Sequence, residues 1–389
     1  MNDEQGKREN EWDDLNEIDL TMLGKQEAVE PAVVGALVAD IGDLFARSYT
    51  ELNAPEDGYI FFRGRFLCDL TLCFDTLRER FEKHGFTPMI REENGQPILI
   101  AVPVVFDPPP SKVWINAVLF IATILSTMLL GASGEPGFTG TEIWLGWPFS
   151  LSILMILGAH EMGHYIAARY HKVAVTLPYF LPLPPPLSVF GTLGAVIRLK
   201  EPIKNKRALL DIGVAGPLAG MVIAIPVLIY GLMTSEVGPL PETYWAEGNS
   251  ILYFGLKFMI FGEQLPSPAG YDVSLNQVAW AGWVGFFVTG LNLIPVGQLD
   301  GGHTAYVLFG DKAKQLFIPV IMGLVMLTFI PPRGTWLIWI LLLWFFGQQH
   351  AEPLDAVTPL DKRRRAIAIF TFLLFFFVFV PIPLRFVGG

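Results

Sequence analysis

Two histidines four residues apart, with a glutamate beside the first, form the H-E-x-x-H motif His160-Glu161-Met162-Gly163-His164. On an α-helix, residues i and i+4 share a face. Both imidazoles can therefore reach one Zn²⁺ while Glu161 points at a water on that metal. The chemistry is that of a zinc hydrolase, and the motif lies inside an otherwise apolar stretch, Trp147 to Ala168, that reads as a membrane span. An ionised carboxylate near the bilayer centre costs roughly 2.5–3.5 kcal/mol even on lenient insertion scales, so it persists where it serves a site or is paired. Ordinary surface or core histidines fit this setting poorly.

Two histidines leave zinc short of a ligand, and catalysis needs a further position open for water. Asp300 is the best third ligand. It lies in Asn292-Leu293-Ile294-Pro295-Val296-Gly297-Gln298-Leu299-Asp300-Gly301-Gly302-His303, at the end of an apolar segment. Charge in the connections places it at the depth of His160. Residues 134–144 and 234–256 contain no Lys or Arg, whereas 198–207 holds Arg198, Lys200, Lys204, Lys206 and Arg207, and 362–365 is Lys-Arg-Arg-Arg. Basic connections stay on the cytoplasmic side, which puts both the motif and Asp300 near that face. His303 is an alternative ligand, but a carboxylate with two histidines matches a known hydrolase set, so His303 is read as a supporting residue.

The elements that must hold these groups follow from composition. A chain of 389 residues that is 52% hydrophobic is a polytopic membrane protein with room for one small soluble domain. Expected spans are 113–133, 146–170, 208–233, 277–298, 315–331, 334–348 and 366–386, about seven. Of the net charge of −10, residues 1–105 carry 10 Lys/Arg against 21 Asp/Glu, so the acidity belongs to the N-terminal part. That part has no basic stripe for nucleic acid and no signal peptide. Residues 1–30 read as an acidic flexible arm and 31–105 as a cytosolic α+β domain, with a helix over Leu70–Lys83 and a hairpin turn at Glu93-Asn94-Gly95-Gln96. Residues 106–112 form a Pro-rich linker to a membrane-embedded domain, 113–389. Cys68 and Cys73 are expected as reduced thiols.

Residues 173–198 offer two β-type runs, Val173–Leu181 and Gly191–Arg198, around the proline-rich Pro182–Pro186. They are expected to form a re-entrant β-hairpin beside the metal. A transmembrane substrate must unwind before its amide can be attacked, and a free hairpin edge could take it up as an added strand. Gly213, Gly216 and Gly220, with Ala215 and Ala219, are expected to let helices pack closely. Lys362–Arg365 reads as an orientation signal.

Three blocks in order, A-H-E-M-G-H at 159–164, G-V-A-G-P-L-A-G at 213–220 and N-x-x-P-x-x-x-x-D-G-G at 292–302, resemble the site-2 protease family of intramembrane zinc metalloproteases. The resemblance covers roughly residues 113–310. The acidic N-terminal part and the 177–199 segment are most similar to the plastid and cyanobacterial branch. The resemblance implies one Zn²⁺ per chain held by His160, His164 and Asp300, Glu161 as general base, and Asn292 as a polar contact to the substrate backbone or developing oxyanion. It implies transmembrane proteins as substrates within a lipid bilayer, in regulated intramembrane proteolysis. Two other classes compete. A metal or proton transporter would need ionisable groups across the whole membrane, and a catalytically silent scaffold would have lost a ligand or the base. No targeting segment is expected at the acidic start, so the expected location is a bacterial inner membrane with a cytoplasmic N-terminus, a mature plastid protein being the alternative. The oligomeric state is not readable.

Overall fold

A computed structural model describes residues 28–53, 57–93, 95–331, 333–347 and 352–387, so the expected arm at 1–30 lies almost wholly outside the described residues. The chain divides into two compact units. The first comprises the described residues of 1–109 together with Glu201–Leu209 and those of 351–361.

In this first unit, helices α1 (Pro31–Ile41) and α2 (Leu70–Lys83) accompany a four-stranded antiparallel sheet in the order β1-β2-β4-β3. The strands are β1 (Phe45–Leu52), β2 (Ile60–Phe66), β3 (Thr87–Glu93) and β4 (Gln96–Val102). Asp69 starts α2 by accepting the Thr71 N–H, an N-cap that satisfies one of the helix's orphan donors. Apolar residues at helical spacing, Phe74, Leu77 and Phe81, then meet Phe62, Ile90 and Leu99 in one core. Leu354 joins that core. Asp355, fully buried, bridges Ile90 and Asn205 and accepts the backbone N–H groups of Val357 and Thr358. Segments far along the chain therefore complete this unit, which no linear boundary at 105 expresses. Cys68 and Cys73 are joined in a disulfide, against the expectation of thiols. The Asp69 cap turns the chain into α2 and sets the two Cα atoms 6.4 Å apart, within bridging range.

Three helices are long and apolar enough to cross a membrane, among the described residues: α3 (Val113–Ser133), α4 (Trp147–Tyr170, continuous with a 3₁₀ turn at Ile143–Gly146) and α5 (Lys206–Met233); α3, α4 and α5 from Leu210 on belong to the second unit. The other apolar segments are cut into shorter helices, α6 (Ile251–Phe261), α7 (Gln277–Asn292), α8 (Asp300–Phe309), α9 (Phe317–Thr328), α10 (Leu337–Phe346) and α11 (Lys362–Val378). Pro295 and Gly297 follow the end of α7, and Pro331 and Gly334 separate α9 from α10. Proline cannot continue the helical ladder, so composition alone overstates helix length there. Helix α7 is buried on nearly every side from Ala279 to Leu291, as an interior helix must be.

The hairpin at 173–198 is present in shorter form, with β5 (Tyr179–Pro182) antiparallel to β6 (Thr192–Val196). Polar residues of α3 hold both of its ends. Asn116 Nδ2 donates to the Leu177 and Pro178 carbonyls at 2.8 and 2.9 Å, and Ser126 Oγ donates to the Gly191 carbonyl at 2.6 Å. Phe120 meets Phe180 edge-on at 4.9 Å between them. Strand β6 lies against α4, which carries the motif. Two further ladders, β7 (Glu236–Pro239) with β9 (Tyr271–Ser274) and β8 (Tyr244–Glu247) with β10 (Leu384–Val387), complete the unit. Arg364 does more than orient the chain: its guanidinium forks onto Asp211, which also pairs with His171 at 2.9 Å, tying α11 to α5 and to the end of α4.

Candidate metal centre

Helix α4 puts His160 and His164 one turn apart on a single face, and both are buried with Glu161, at 4, 7 and 5% exposure. Their Nε2 atoms lie 3.1 Å apart. The third group arrives on another element. Helix α7 ends at Asn292, the chain turns through 293–299, and Asp300 opens α8 with its carboxylate straddling the two rings. Asp300 Oδ2 is 3.3 Å from His160 Nε2, and Oδ1 is 3.3 Å from His164 Nε2. Among the described residues these three side chains form a group able to hold a metal ion.

The spacing suits zinc. Zinc bonds to nitrogen and oxygen are about 2.0–2.2 Å, so neighbouring ligands on a tetrahedron lie about 3.3 Å apart. The observed 3.1, 3.3 and 3.3 Å are edges of that tetrahedron. The donor chemistry agrees. His164 Nδ1 lies 2.7 Å from the Ile212 carbonyl, which can only accept, so Nδ1 carries the proton and Nε2 presents its lone pair. That lone pair faces a second imidazole nitrogen and a carboxylate, and a cation at the centre of the group relieves the repulsion. Zn²⁺ fits these residues.

Helix α5 frames the group from the other side. A Cβ on Gly216 would lie 2.0 Å from His164 Nε2, so only glycine leaves space for the ring. The G-V-A-G-P-L-A-G stripe is a packing surface, as its small residues suggest, but what it packs against is the ligand pair. Ile212 was not singled out from the sequence, because a backbone carbonyl carries no residue identity. Asn292 Nδ2 sits 3.2 Å from His160 Nε2. His303 is not part of the converging group and packs beside Gly213.

Residues 148–329 match the family model described as peptidase family M50. Over those residues, just under half of its length, the chain is similar to that family. It is similar to the "probable zinc metalloprotease EGY2, chloroplastic" of Arabidopsis thaliana, 25% identical over 363 residues covering 88% of this chain and 64% of that protein. The similarity to EGY1 of Oryza sativa subsp. japonica is 30% over 241 residues, or 54% of this chain and 40% of that protein. For EGY3 of Arabidopsis thaliana it is 29% over 242 residues, or 57% and 40%. The chain thus spans less than two thirds of the length of these relatives. No solved structure matches. The resemblance to site-2 proteases of the plastid-type branch stands, and the matched stretch takes in all the metal-ligating candidates. The expected bacterial inner membrane is overturned, because these relatives are chloroplastic. Basic connections report which side of a bilayer they face and not which bilayer it is.

Proposed function

We propose that this chain is an intramembrane zinc metalloendopeptidase of site-2 protease type, hydrolysing peptide bonds within or next to transmembrane segments of membrane-protein substrates in a plastid. The observation that carries this reading is a zinc-spaced triad of lone-pair donors, two of them on a helix long and apolar enough to cross a membrane and the third opening α8. In this reading seven apolar segments traverse the bilayer, the basic connections face the stroma, and 31–105, completed by 201–209 and the described residues of 351–361, is a soluble domain that 106–112 joins to the membrane-embedded part.

Zn²⁺ held by His160, His164 and Asp300 would activate water and polarise the scissile carbonyl. Glu161, adjacent to a ligand on the same helix, takes the proton of the attacking water and passes it to the leaving amine. The Asn292 amide, 3.2 Å from a ligating nitrogen, donates a hydrogen bond where negative charge develops. Strand β6, with Leu193 and Val196 exposed, presents an edge to which an unwound substrate can add, satisfying backbone groups that lipid cannot. A transporter or a scaffold has no use for Glu161.

The test is zinc content and cleavage of single-span peptides by wild type and Glu161→Gln. About one zinc per chain is expected in both, with cleavage down roughly 10²–10⁴-fold in the variant. Cleavage undiminished by the substitution, or folded protein without zinc, refutes the reading; zinc without cleavage by either form points to a scaffold or transporter.

A further inference from the structure

The second unit holds a partly open cavity of about 300 Å³ that Asn292 lines. Its walls are Leu291, Ile294 and Leu299, from the end of α7 and the turn that follows, and Trp339, Leu342 and Leu343 from α10. Asn292 also lines it, and the same Asn292 amide lies 3.2 Å from His160 Nε2. Asn292 is therefore the wall shared by the cavity and the proposed site of chemistry. Among the described residues no charged side chain lines it; Gln298, exposed, is the other polar group at its margin.

The cavity is built. Gly297 has φ +59°, and a Cβ there would lie 2.5 Å from Gly347 Cα at the C-cap of α10. The 293–299 turn thus sits directly on the end of α10, and this contact sets the gap between the turn that delivers Asp300 and the helix face bearing Leu342 and Leu343. Leu342 is 42% exposed while Leu343 is buried, so the wall runs from the interior out to the surface of the unit, where an unwound transmembrane segment can reach it.

We infer that this cavity receives one bulky aliphatic or aromatic side chain of the substrate next to the scissile bond, and that Leu299, Trp339 and Leu342 set the sequence preference of cleavage. The inference rests on the protease reading above. Binding an apolar side chain one wall away from the metal ligands fixes the position of the neighbouring carbonyl, which is how remote contacts raise a rate. An unwound membrane segment supplies such side chains in abundance.

The experiment uses the zinc-loaded full chain and single-span peptides differing only in Ala, Leu, Phe or Asp at each residue flanking the cut. Wild type is expected to favour Leu or Phe over Ala about tenfold at one of these positions and to reject Asp. Leu299→Trp and Leu342→Trp, which fill the cavity, should reverse that preference, and Trp339→Ala should extend it to larger side chains, all with unchanged zinc content. Equal rates for all peptides, or wild-type preference in both filled variants, overturns the inference. Binding is read independently with Glu161→Gln and a peptide carrying a photoreactive phenylalanine at the selected position. Crosslinks to Trp339 or Leu342 support the inference, and crosslinks elsewhere, with a photoreactive lipid labelling the cavity instead, refute it. If wild type cleaves no peptide, the protease reading fails, while the crosslinks still decide what occupies the cavity.

Discussion

The second unit buries two polar clusters, and they are built on opposite logics. Around Lys257, itself 1% exposed, charges and hydrogen bonds close on themselves. Nζ meets Asp272 Oδ1 at 3.0 Å and Glu247 Oε1 at 3.3 Å, while the Tyr253 hydroxyl donates to Glu247 at 2.9 Å. At His160, His164 and Asp300 every inward-facing atom is a lone-pair donor. The first cluster is complete with the groups the chain supplies; the second offers a donor set that a cation can complete. Burial and charge, which the clusters share, do not mark function. The unbalanced donor set does, because an interior that leaves acceptors facing one another is stable only with something bound between them.

The largest effects should separate the two. Asp300→Ala is expected to abolish zinc binding and to lower cleavage by more than about 10³-fold, and a chelator should then have no further effect on its melting. Wild type should lose stability on chelation, by about 4 kcal/mol if the metal is present at a thousand times its dissociation constant. Lys257→Met should behave the other way, retaining zinc while losing about 3–5 kcal/mol, the usual effect of stranding a buried carboxylate. A denaturation series with and without chelator reads both. Equal chelator sensitivity in Asp300→Ala and wild type would break the comparison.

Smaller changes probe how the open cluster is framed. Gly216→Ala drives a methyl into the space of the His164 ring and should weaken zinc affinity about 10–100-fold, as substitutions beside metal ligands do, with little change in overall fold. Competition with a chromogenic chelator measures it; wild-type affinity would show that the ring does not depend on that space.

The smallest effect lies outside the spans. Glu142 accepts the Thr139 N–H and the Thr139 and Thr141 hydroxyls just ahead of the turn into α4, and these bonds, led by the Thr139 backbone, hold its pKa down from 4.5 to about 2. A carboxyl depressed in the folded state stabilises above its ordinary value and stops doing so as pH falls through its folded value. Hydrogen-exchange protection at Thr139 should therefore be full at pH 5 and decline toward pH 2. Glu142→Gln should show no such decline.

How legible the molecule is depends on whether a residue's own identity carries the signal. Helix Leu70–Lys83 is visible from apolar spacing, and the hairpin at 173–198 from two β-type runs around prolines. The disulfide is not, since five residues of separation permit a bridge without requiring one. Span lengths in the second half of the chain are overstated, because an apolar run says nothing of where proline and glycine end the helix inside it. The Ile212 carbonyl and the role of Gly216 are hidden for a related reason: one is backbone, and the other acts by lacking a side chain.

The sequence by itself determined the donor types, the pairing of His160 with His164 and the kinship to site-2 proteases, because four-residue spacing on a helix and the chemistry of imidazole and carboxylate are local properties. Only the tertiary structure decided that Asp300, 136 residues beyond His164, closes the triangle at zinc spacing, that Gly216 opens room for it, and that an apolar cavity adjoins Asn292. Those facts depend on how α4, α5 and α7 pack and on where the 293–299 turn seats. Such distances are set by the sum of many weak contacts, which no single residue states.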